Sequence, residues 1–105
     1  MQTISVAELR ARMEAGEKLN LVDVREPHEN EEFNIGGRLV PLGQIQNMQI
    51  DELEDLKDQE VICYCRSGNR SGQACLLLET MGFTNIVNVT GGMLAWEESF
   101  GKNAI

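Results

Sequence analysis

The stretch Glu60 to Gly82, EVICYCRSGNRSGQACLLLETMG, decides the fold. It opens on EVICYC, a β-branched and apolar run that reads as a buried strand. Beyond it, Ala74, Leu77, Leu78 and Met81 recur at helical spacing, and Gly82 stands where a helix stops. Between the two, CRSGNRS holds a glycine, an asparagine and two serines, the residues of a tight loop. Strand, tight loop and helix N-terminus follow one another without a spare residue.

The same alternation runs along the rest of the chain. TIS is a short strand, and Ser5 followed by Glu8 forms a capping box for a helix whose apolar stripe is Val6, Leu9 and Met13, closed by Gly16. LNLVDV is a nearly continuous apolar strand, the pattern of a parallel strand covered on both faces. EPHENEEF places Pro27 at a helix start. GGRLVPL gives a Gly-Gly turn and a strand that Pro41 confines to the neighbourhood of an edge. IDELEDL is a weak helix, NIVNV a strand, and GMLAWEES a last helix. Strands separated by helices predict an α/β domain with a mostly parallel sheet. The 105 residues amount to one domain, spanning 1–105, large enough to bury about 60–70% of its unfolded surface.

Composition narrows the function. Seventeen acids against nine bases give a net charge of −8, which disfavours nucleic acid as a partner because phosphate binding needs a basic face. The start MQTISVAELR has no basic and apolar leader pattern, and no stretch approaches the ~20 apolar residues of a membrane span, so the expected setting is cytoplasmic, with no membrane partner. Three cysteines are an odd count for a disulfide framework, which leaves reactivity or burial to explain them.

In sheets of this class chemistry gathers beyond the carboxyl ends of the strands. Three such ends stand out: DVRE at Asp23 to Glu26, CRSGNRS at Cys65 to Ser71, and TGG at Thr90 to Gly92. In the second, a cysteine ends a strand, and the loop through Ser67, Gly68 and Asn69 turns backbone N–H groups toward its sulfur before a helix begins near Ser71. Arg66, Arg70 and the helix dipole add positive potential. Such surroundings lower a cysteine pKa from about 8.5 into the range of roughly 3.5–7.5, so Cys65 is expected to be a thiolate at neutral pH.

LVDVREPHE, EEFNIGG before RLVPL, CRSGNRS and LLLETMGFTNIVNVTGGMLAW stand in the order and spacing of the single-domain rhodaneses, and over nearly its whole length the chain resembles that thiosulfate sulfurtransferase family. One segment departs: where the family often carries G-H-I-P-G-A, this chain has Asn34, Ile35, Gly36, Gly37 and Arg38. The resemblance implies a fold of five parallel strands with helices on both faces. It also implies an enzyme in which Cys65 takes the outer sulfur of thiosulfate, releases sulfite and holds a persulfide until cyanide, a thiol or a protein acceptor removes it. Arg66, Ser67, Gly68, Asn69, Arg70 and Ser71 then form the substrate-binding ring, with Asp23 and Arg25 supporting it. No metal or other cofactor is implied.

Plainer readings stand beside these. Cys63 and Cys65 form C-x-C, but two ligands without a second cluster are too few for a metal, and Cys63 fits a buried thiol. Cys75 either packs in the core or resolves an oxidised Cys65. His28, the one histidine, fits a solvated position on an acidic helix. Gly91 and Gly92 are expected only to turn the chain, with Trp96 packing the last helix. Two rival functions remain. A related phosphatase or arsenate reductase separates its cysteine and arginine by five residues, whereas Arg66 through Asn69 put four between Cys65 and Arg70. A catalytically silent interaction module often lacks the loop cysteine, which this chain keeps.

Overall fold

The computed structural model describes residues 1–104, so the last residue of the expected 1–105 domain lies outside the described residues. Strands β1 (Gln2–Ile4), β2 (Leu21–Asp23), β3 (Arg38–Leu39), β4 (Glu60–Tyr64) and β5 (Asn85–Val89) form one sheet in the order β1-β5-β4-β2-β3. Every pairing is parallel. The central strand is β4, the strand that opens the deciding stretch, and β3 lies at an edge, as Pro41 indicates.

Helices cover both faces because successive strand residues point to opposite sides. Val61, Cys63 and Cys65 face a core shared with Ile45, Leu53, Ala74, Cys75 and Leu78. These come from α3 (Leu42–Gln46), a 3-10 helix (Asp51–Leu56) and α4 (Asn69–Thr80). Ile62 and Tyr64 face a second core with Leu9, Met93 and Trp96, supplied by α1 (Val6–Glu14) and α5 (Gly92–Phe100). α2 (Pro27–Glu32) has no buried residue and rides on the surface beyond the end of β2.

The Ser5 and Glu8 capping box forms with both bonds at 3.1 Å. Three details differ from expectation. α4 begins at Asn69 rather than near Ser71, because Gly68 at φ 102° turns the chain straight from the loop into the helix. DELEDL winds as a 3-10 helix, a tighter form suited to a short piece. PLGQIQN holds the short α3, which has one buried residue, Ile45, and so too little periodicity to announce itself.

Candidate active site

Strand β4 delivers Cys65 one residue past its end, where the loop Arg66 to Gly68 curls back over the sulfur. The Gly68 N–H donates to Cys65 Sγ at 3.1 Å, and Ser71 Oγ lies 3.4 Å away on the first turn of α4. Burial pushes the Cys65 thiol up. The hydrogen bonds that Ser71, Gly68 and Ser67 bring to the sulfur outweigh that, leaving the thiol below its usual value. The residue itself is 0% exposed, so the sulfur sits beneath the ring rather than open to solvent.

The loop is also fixed from outside. Its carbonyls at Cys65 and Arg66 accept from the N–H groups of Met93 and Leu94, both at 2.9 Å, so the first turn of α5 is pinned to the loop. This close approach needs Gly92: it sits at φ 55°, and a Cβ there would meet the Arg66 carbonyl at 2.7 Å. Gly92 therefore shapes the loop, a role beyond the chain turn expected of it.

The two arginines have different partners. Arg70 makes a bidentate ion pair with Glu29 of α2, at 2.7 and 2.9 Å, which holds the Glu29 carboxyl down at about 2. Arg66 is exposed and makes no ion pair among the described residues. It lines a cleft of about 290 Å³ together with Arg25, His28, Glu29, Met93 and Glu97.

Asp23, at the end of β2, is fully buried against Arg25, which is 5% exposed. Its carboxylate accepts the Arg25 backbone N–H at 3.0 Å, Nε and Nη2 at 2.9 Å each, and Asn30 Nδ2 at 2.9 Å. Arg25 Nη2 donates in addition to the Phe33 carbonyl at 2.6 Å. Burial works against the Arg25 charge, and Asp23 more than offsets it. The pair fixes the segment that carries α2, and with it Glu29, beside the cysteine loop.

Residues 5–99 match the family described as the rhodanese-like domain. This chain belongs to that family. It is 42% identical over 99 residues to the Bacillus subtilis protein YtwF, covering 92% of this chain and 91% of that one. It is 36% identical over 88 residues to a protein of Allochromatium vinosum named "Sulfurtransferase", covering 84% and 80%. A solved rhodanese-like domain protein from Staphylococcus aureus superposes with a TM-score of 0.81 at 30% identity, covering 91% of each chain.

The remaining expected residues of this rhodanese-like chain fall into place around the loop. Cys63 and Cys75 are both fully buried in the same core as Cys65. The Cys75 sulfur beside it, then burial, push the Cys63 thiol well up, which keeps it protonated and unreactive. His28 is exposed on α2 and lines the cleft. Trp96 is buried beneath α5 and donates Nε1–H to the Asn103 carbonyl at 3.0 Å. Two contributors carried no signal in the sequence. Glu29 reads as one carboxylate among the acids of α2, and Asn88 reads as a polar position in an apolar strand.

Proposed function

We propose that the protein is a sulfurtransferase that moves a sulfane sulfur through a Cys65 persulfide, with thiosulfate as the donor to test first. The thiolate of Cys65 attacks the outer sulfur of thiosulfate. A Cys65–sulfur bond forms, the bond to the sulfite sulfur breaks, and sulfite leaves with that electron pair. An acceptor thiolate or cyanide then attacks the terminal sulfur and returns Cys65 as a thiolate. Arg66 at the cleft offsets repulsion between a dianionic donor and an anionic nucleophile. The acceptor is a thiol of a small molecule or protein, and the setting is cytoplasmic.

The observation that carries this reading is the Gly68 N–H on Cys65 Sγ at 3.1 Å, in a loop whose N–H groups converge on one sulfur. The ring has four residues between Cys65 and Arg70, and Arg70 is engaged by Glu29, which leaves no arginine fork free to cradle a phosphate from that position.

The test is intact-mass measurement after incubation with thiosulfate. The expected result is a gain of one sulfur atom that cyanide removes, present in Cys63→Ser and Cys75→Ser and lost in Cys65→Ser. Turnover surviving in Cys65→Ser would sink the mechanism. A folded protein that gains no sulfur and releases no sulfite would instead be a binding module, and release of phosphate from aryl phosphates would mark a phosphatase.

A further inference from the structure

Asn88, near the end of β5, reaches into the cysteine loop. Its Nδ2 donates to the Gly68 carbonyl at 3.2 Å, and its Oδ1 lies 2.5 Å from Ser71 Oγ. A carbonyl can only accept, so Gly68 selects the NH2 side of the amide and leaves Oδ1 facing Ser71. Oδ1 can only accept as well, and two oxygens this close repel unless a proton lies between them. The Ser71 hydroxyl has a single proton. It is therefore committed to Asn88, and Ser71 turns a lone pair toward Cys65 Sγ, 3.4 Å away.

We infer that Asn88 is a positioning residue that withholds the Ser71 proton from Cys65, so that the loop's backbone N–H groups, and not this hydroxyl, hold the thiolate. Toward the sulfur the hydroxyl is then an acceptor, able to receive the thiol proton and unable to donate to the anion. The chemical benefit lies in nucleophilicity. A thiolate stabilised by every available donor ionises readily but attacks weakly, because intrinsic nucleophilicity falls with pKa. By occupying one donor, Asn88 keeps the sulfur ionisable yet strong enough to attack a sulfane sulfur.

The inference rests on Cys65 being the reactive cysteine, but it concerns a proton and requires no turnover. Cys63 on β4 and Cys75 on α4 share the core with the sulfur, Arg66 and Arg70 belong to its loop with Glu29 behind Arg70, and Arg25, His28, Glu32, Glu97 and Lys102 line the cleft beside Arg66. None of them changes in the variants below.

The experiment is a pH titration of Cys65 by thiolate ultraviolet absorbance, which needs no reagent to reach a buried sulfur, with the Cys65→Ser signal subtracted. In Ser71→Ala the midpoint is expected to stay or fall, because no donor to the thiolate has been lost. In Asn88→Ala the freed hydroxyl turns to the sulfur and the midpoint falls. Adding Ser71→Ala to Asn88→Ala raises it again by on the order of one pH unit, tenfold in acid dissociation. A rise in Ser71→Ala alone, or in Asn88→Ala alone, overturns the inference, and either variant decides if the other fails to fold. A signal that Cys65→Ser does not abolish counts against Cys65 as the reactive cysteine and not against the placement of the Ser71 proton.

Discussion

Arg70 and Glu29 meet face to face, Nη1 to Oε1 at 2.7 Å and Nη2 to Oε2 at 2.9 Å, joining α4 to α2 across 41 residues of sequence. The sequence places Arg70 and Arg66 together in the cysteine ring. Their partners separate them, since the charge of Arg70 is largely cancelled and that of Arg66 is not.

Donor kinetics should reflect this difference. Arg66→Ala is expected to lower kcat/KM for thiosulfate by about tenfold, the loss of one charge-assisted contact. Arg70→Gln with Glu29→Gln, which removes the pair without stranding a carboxylate, is expected to cost less than about threefold. Steady-state sulfite release distinguishes them. A larger loss in the paired variant than in Arg66→Ala would mean that Arg70 reaches the donor.

The same pair makes stability depend on acid. Glu29 has its folded value depressed from 4.5 to about 2 by the Arg70 hydrogen bonds, so its contribution is present above 4.5 and is lost as pH falls toward about 2. Urea unfolding followed across that window should show the parent chain losing stability more steeply than Arg70→Gln with Glu29→Gln. Parallel curves would show that the ion pair adds nothing to the fold.

Asp23→Ala should be among the most damaging changes outside the loop. It leaves the Arg25 guanidinium, 5% exposed, without its counter-charge. Losing one partner of a buried ion pair costs about 3–5 kcal/mol, which for a chain of this size lowers Tm by roughly 10 °C or more. Thermal unfolding by circular dichroism checks it. A drop of only a few degrees would mean that water reaches Arg25 readily.

Gly92→Ala should act on stability and on the site together. The added Cβ forces the Arg66 carbonyl away, and overpacking of this kind costs about 1–3 kcal/mol. Because the same turn of α5 holds the Cys65 and Arg66 carbonyls, persulfide formation measured by mass at a temperature where the variant is fully folded should still be slowed. Unchanged persulfide formation in the folded variant would confine Gly92 to a structural role.

Much of this was legible in the sequence because it is local. The apolar run of EVICYC and the helical spacing of Ala74, Leu77, Leu78 and Met81 need only neighbouring residues to be read, and so does the Ser5 to Glu8 capping box. The cysteine loop is local too, and its ring of N–H groups follows from glycine placement and the helix start. What escaped reading is non-local. The partner of Arg70 lies 41 residues away, and Asn88 meets Ser71 and Gly68 across 17 and 20 residues. In NIVNV, Asn88 reads only as a polar position in an apolar strand, because periodicity reports a face and not what stands opposite. The role of Gly92 depends on how closely α5 approaches the loop, a distance that spacing along the chain does not encode.

The pairing of β1 with β5, Gln2 opposite Val87 and Ile4 opposite Val89, sets an order on synthesis. β1, the earliest of the five strands in chain order, finds its hydrogen-bonding partner only when β5, the latest of them, has emerged, whereas β2, β3 and β4 come out together and can associate earlier. Throughout elongation Ile4 and Leu9 lack the β5 and α5 residues they pack against, and the exposed flank of β4 stays unpaired. A nascent chain stalled before β5 would therefore present an open parallel edge, and a ribosome pausing there would hold it in its most aggregation-prone form.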